Sequence, residues 1–151
     1  MNRNDKGALA EAQVIARFAE LGCTAYTPTF HNSRADMIVD VDGHLLKVQV
    51  KFGRWMETGA VECHFVRNGT NVQNEYSADE VDLFAIYSER TEEVYVVPFE
   101  DAPATQVRLR VEEINQSTGG PKRRWAEDYV LNSTEGLSSY AAQEQGGGRY
   151  E

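Results

Sequence analysis

No apolar run in this 151-residue chain approaches the roughly 20 residues that a membrane-crossing helix requires. Its first residues, MNRNDKG, lack the charged-then-apolar order of a secretory leader, so the expected location is cytoplasmic. Cysteine is scarce: Cys23 and Cys63 stand alone, with no CxxC spacing, which argues against both a disulfide framework and zinc. His31, His44 and His64 show no ligand spacing either. Lysine is also rare, at four of the fifteen cationic side chains, and the net charge is −9. An acidic, lysine-poor composition suits a protein of a salt-in halophile, where high salt screens repulsion; an ordinary acidic cytosolic protein is the plainer alternative.

The acidity is unevenly placed. Residues 1–67 hold eight basic and eight acidic side chains, whereas residues 68–118 hold three basic and eleven acidic ones. The first half is therefore neutral on balance and can still meet an anionic partner. The length suits one domain with one real core. That domain is expected over residues 1–132, with a disordered, Ser-, Gln- and Gly-rich tail over 133–151.

What is present begins with a hairpin. Asp42-Gly43 is a strong two-residue type I′ turn signal, because both central positions need positive φ. If Val41 faces His44, the register sets Asp36 opposite Gln49, with side chains on one sheet face about 4.5–5.5 Å apart. Lys51 follows on that face, while Met37, Val39, Val41, Leu46, Val48 and Val50 form the apolar face. An acid, an amide oxygen and an ammonium thus converge, as a divalent metal with an activated water requires. An ordinary amphipathic hairpin with surface charges explains half of the same pattern.

A third carboxylate adds to it. Residues 6–21 read as a helix with Asn4 or Asp5 as N-cap, Gly22 past its end, and an apolar stripe of Ala8, Ala12, Ile15, Phe18 and Ala19. Glu11 shares that face, where an unpaired carboxylate is costly and a metal or Lys51 would relieve it. A place at the edge of the stripe, reaching solvent, is the alternative.

Lys6-Gly7-x3-Glu11, Leu21-Gly22, Pro28, Asp36 and Gln49-Val50-Lys51, in this order and spacing, resemble the PD-(D/E)XK nuclease superfamily. The likeness covers about residues 4–97 and is greatest to its intron-encoded homing endonucleases and to archaeal Holliday junction resolvases. Ala35 stands where the superfamily's name has Pro, a position that varies. Gln49 stands where most members carry Glu or Asp; the homing-endonuclease branch carries Gln, and resolvases usually keep Glu.

The resemblance implies an α/β, restriction-endonuclease-like core, with the N-terminal helix packed on a mixed β-sheet. It implies a DNA endonuclease with Glu11, Asp36, Gln49 and Lys51 as catalytic residues. Mg²⁺ (or Mn²⁺) would be held by Asp36, Gln49, the Val50 carbonyl and Glu11. Lys6, Arg34, Lys47, Arg54 and Trp55 are the expected nucleic-acid contacts, with Arg67 a further nearby cation. Cutting a duplex needs two such sites, so a homodimer or higher homo-oligomer is expected. A junction resolvase and an inactive DNA-binding or assembly module are the competing readings.

Further strands are expected at 23–29, 61–67, 81–87, 93–99 and, as an edge, 107–111, with one helical turn at 77–80. Residues 122–130, KRRWAEDYV, read as a short helix. Lys122-Arg123-Arg124-Trp125 could grip phosphate and stack on a base, but a solvated loop whose Trp125 covers the sheet edge is the plainer reading.

Overall fold

A computed structural model describes residues 1–30, 33–66, 69–113 and 123–141. His31, Arg67 and Lys122 lie outside the described residues. The central hairpin forms as its turn dictates. Asp42 and Gly43 take φ of 51° and 87°, and the Asp40 carboxylate accepts the Gly43 N–H at 2.7 Å. Strand β2 (Met37–Val41) pairs antiparallel with β3 (His44–Met56), from Val41 opposite His44 to Met37 opposite Val48.

The ladder ends there, one residue short of the pairing expected between Asp36 and Gln49. Asp36 instead donates its N–H to the Val48 carbonyl at 2.8 Å. This offset turns its side chain back along β3.

At thirteen residues, β3 organises the whole sheet. Short β1 (Thr24–Tyr26) lies outside β2. Strand β5 (Leu83–Ser88) runs parallel to the middle of β3 and carries β6 (Glu93–Pro98) on its far side. The last part of β3 pairs with β4 (Ala60–His64), and β4 with β7 (Gln106–Arg110). All six residues of β5 are buried, as expected of a strand covered on both faces.

Two apolar clusters provide that cover. Helix α1 (Arg3–Glu20) lays Ala10, Val14 and Phe18 on Met37, Val39, Leu46, Val48, Leu83 and Ala85. On the opposite face Phe84 and Ile86 meet Val61, Cys63 and Phe65, with Val107 and Leu109 from β7. The expected mixed sheet with an N-terminal helix packed on it is what the chain forms.

Gly53 is where β3 passes between these clusters. A Cβ there would lie 2.6 Å from Val61 Cγ1 and 3.0 Å from Ile86 Cγ2, with the Tyr87 carbonyl at 3.3 Å. Both branched side chains are buried and cannot swing away. Gly53→Ala should therefore destabilise the fold by about 1–3 kcal/mol, the usual cost of overpacking. Urea unfolding of the variant beside the wild type measures it.

Several local expectations are corrected. Helix α1 starts earlier, because Asn2 rather than Asn4 or Asp5 is the N-cap and accepts the Asp5 N–H at 2.9 Å. Its buried stripe is Ala10–Val14–Phe18, with Ile15 packed at its edge; of the expected stripe, Ala8, Ala12 and Ala19 are exposed, since an i, i+4 row puts larger side chains on the sheet. Glu11 borders this stripe, three residues before Val14, and is half-buried.

The turn expected at 77–80 forms, with the Glu80 N–H donating to the Ser77 carbonyl at 3.0 Å, and a short helix that was not expected, α2 (Val72–Glu75), capped by Asn71, precedes it. Strand β7 is not an edge: β8 (Arg124–Trp125) pairs parallel with it, and of the helix expected over 122–130 only a 3-10 turn at Ala126–Asp128 forms. Leu137 is buried in the first cluster, so the chain stays with the fold as far as Ala141, past the point where a tail was expected. Residues 142–151 lie outside the described residues. Among the described residues no helix is long and apolar enough to cross a membrane.

Candidate active site

Three of the expected residues gather at the open end of the β2–β3 pair. Asp36 is half-buried, and its Oδ2 accepts the Val50 N–H at 2.7 Å. The offset that broke the ladder makes this bond possible, and it fixes the carboxylate against β3. Burial raises the Asp36 pKa above its ordinary value, while the Val50 N–H and the charge of Lys51 pull the other way. Burial prevails, so this carboxylate is short of positive charge.

Gln49 has the complementary defect. Its Oε1 is buried and has no hydrogen-bond donor among the described residues. A buried amide oxygen without a donor costs about 1–3 kcal/mol, and a cation removes that cost. Two residues along β3, Lys51 points to the same face, beside Ile86 in the parallel ladder. A half-buried carboxylate bonded to β3 and an amide oxygen of β3 without a described donor therefore lie at one strand end, with an ammonium near enough to act on the acid. Among the described residues no three His, Cys, Asp or Glu side chains gather to hold a metal. A cation here would rest on one carboxylate and neutral oxygens, the donor set a hard divalent ion accepts.

Glu11 approaches differently. Helix α1 packs on the face of β3 that carries Val48 and Val50, opposite to that of Gln49 and Lys51. The Val50 N–H donates to Asp36, and the Val50 carbonyl is the main-chain oxygen that residue could offer to a cation.

Sequence reasoning missed Tyr76. Its ring lies between two cations, with Arg34 Cζ 5.4 Å and Lys51 Nζ 5.8 Å from its centre. Its hydroxyl accepts a long hydrogen bond from Lys51 Nζ at 3.4 Å and donates toward the Phe65 carbonyl at 3.5 Å. The signal was a lone aromatic in an otherwise polar loop after α2. Tyr76→Phe keeps the ring and removes the tether. Cleavage should slow about fivefold, the worth of ~1 kcal/mol, with little change in Tm. Single-turnover rates beside thermal melts check this.

The expected nucleic-acid contacts are already engaged within the chain. Arg34 is bound by Glu75 at 2.9 Å and lies 3.8 Å from Glu80, which ties the Asp36 segment to the Tyr76 loop. Lys47 Nζ donates to the Asp79 carbonyl. Lys6 sits 5.6 Å over the Phe52 ring, and Arg54 pairs with Glu62 at 2.8 Å. Trp55 packs against the second cluster with Arg90 4.9 Å over its ring, so that face cannot stack on a base.

The model of the PD-(D/E)XK endonuclease family matches residues 1–132, and the chain belongs to that family. Nuclease is therefore its functional class, and members of this fold generally use divalent metals. The chain is similar to Protein 5.3 of Escherichia phage T7, at 33% identity over 84 residues, 56% of this chain and 71% of that one. Its fold matches that of a bacterial homing endonuclease, I-Ssp6803I, with a TM-score of 0.66 and 24% identity, over 86% of this chain and 87% of the other.

Proposed function

We propose that the chain is a Mg²⁺-dependent (or Mn²⁺-dependent) deoxyribonuclease of homing-endonuclease type, acting as a homodimer or higher homo-oligomer. The observation that carries this is the buried, unpaired Gln49 Oε1 on the strand that also holds Lys51 and fixes Asp36. A structural glutamine would have found a donor. The same glutamine favours the homing-endonuclease branch over a resolvase, and the fold shared with I-Ssp6803I points the same way.

In this reading Asp36, the Gln49 amide oxygen and the Val50 carbonyl hold the ion, and Glu11, on the other face of β3, would reach past the open strand end to hold a second ion or its water shell. When bound, the ion would polarise the scissile phosphate and acidify a water. Lys51 orients the attacking water and offsets negative charge as it builds on the phosphorane. Tyr76 keeps the Lys51 ammonium from swinging toward solvent. Arg34 and Lys47 can exchange their internal partners for phosphate oxygens.

Purified protein given supercoiled plasmid, linear duplex and a four-way junction, with Mg²⁺ or EDTA, at low and high salt, tests this. Mg²⁺-dependent cutting of plasmid and duplex is expected. Preference for the junction would make it a resolvase, and inertness toward all three would make it a binding module.

A further inference from the structure

Apart from the candidate site, charge is concentrated on the outer face of β4. Val61 and Cys63 point into the second cluster, so Glu62 between them points away from it. Glu62 is nonetheless only 3% exposed, because side chains of the neighbouring strands cover it. The register sets Arg54 of β3 on one side and Arg108 of β7 on the other. Arg54 Nη2 lies 2.8 Å from Oε1 and Arg108 Nε 2.9 Å from Oε2, while His64 Nε2 lies 3.0 Å from Oε1. Burial pushes the carboxyl pKa up, but the hydrogen bonds from Arg54, Arg108 and His64 outweigh it and hold it at about 2. Glu62 is thus an anion at any working pH.

One carboxylate does not need two arginines. The Arg54 and Arg108 side chains remain 69% and 59% exposed, and His64 is 56% exposed. Each guanidinium has five N–H donors and commits only part of them to Glu62. The two arginines stand on strands about 9.5 Å apart at the backbone, and their guanidinium groups converge on a common anchor. The result is a local surplus of fixed positive charge on a chain of net charge −9.

On its other face, β4 carries neighbours of the candidate site. Phe65, next after His64, accepts the Tyr76 hydroxyl that contacts Lys51. The charge of Lys51 also bears on Cys63, one residue from Glu62.

We propose that Arg54, Arg108 and His64, held in place by Glu62, form a phosphate-binding platform for the DNA backbone on the sheet face opposite to Lys51, away from the scissile bond. The proposal rests on the nuclease reading and adds to it a second contact surface. Ordering the guanidinium groups in advance lowers the entropy lost on binding. Contacts of this kind position DNA without reading its sequence.

The test measures binding of the full chain to a labelled linear duplex in EDTA, over a range of salt. Each phosphate contact contributes about 0.9 to the slope of log affinity against log salt. Arg108→Gln should lower that slope by about one, and Arg108→Lys should keep it. Arg54→Gln should reproduce the loss, and it carries the test if Arg108→Gln does not fold. Folded glutamine variants with the wild-type slope would overturn the platform, leaving Arg54 and Arg108 as partners of Glu62 only. Wild-type protein that binds no DNA at any salt would overturn the nuclease reading itself.

Discussion

Lys51→Arg should slow DNA cleavage on the order of 10²–10³-fold, the effect of losing one transition-state contact. Charge is preserved in this variant, so the loss isolates geometry. A compact ammonium can touch one water and one phosphate oxygen, whereas a planar, bulkier guanidinium cannot take its place. The surroundings sharpen the argument. Lys51 Nζ is held 3.4 Å from the Tyr76 hydroxyl, on a strand face already filled by Ile86 and Phe84. Duplex affinity should change little, because a phosphate contact accepts either cation. Equal losses of binding and cleavage would make Lys51 an anchor for DNA, and an active arginine variant would remove it from the chemistry.

Asp36→Asn should abolish cleavage and leave stability nearly intact. The asparagine oxygen can still accept the Val50 N–H that Asp36 accepts at 2.7 Å, but the charge that would hold a divalent ion is gone. Asp36→Ala should be equally inactive and also less stable, by about 1–3 kcal/mol, because it leaves a part-buried N–H unpaired. Comparing the two by plasmid nicking and by urea unfolding separates chemistry from folding. Wild-type rates in a folded Asp36→Asn protein would end the assignment.

The hairpin was the most legible part of the chain. Asp42-Gly43 fixed the turn, and the turn fixed the register from Val41–His44 to Met37–Val48. That register alone aligned Gln49 and Lys51. It could not show the offset at Asp36, where the N–H moves to the Val48 carbonyl and the carboxylate folds onto Val50. Such an offset depends on what packs beyond the strand end, which alternation does not encode.

The helix was legible in kind but not in phase. Alanine-rich stretches offer several weak stripes, and the sheet chose the one with Val14 and Phe18. Tyr76 and the platform around Glu62 were hidden for a different reason. Both join strands and loops distant in sequence, such as residues 54, 62 and 108, whose meeting depends on β7 pairing with β4. Arg54 was singled out as a contact for DNA, but its carboxylate anchor was not. Nor does local sequence mark a two-residue strand such as Arg124–Trp125, which exists only because β7 offers it an edge.

The most direct test of the site is Mn²⁺ binding by calorimetry on folded wild type, Asp36→Ala, Gln49→Ala and Gln49→Glu. A site built from the Asp36 carboxylate and the Gln49 oxygen predicts loss of binding in Asp36→Ala and weaker binding in Gln49→Ala. Gln49→Glu should bind more tightly, since ligand charge raises divalent affinity. Identical isotherms for all four proteins would contradict the account.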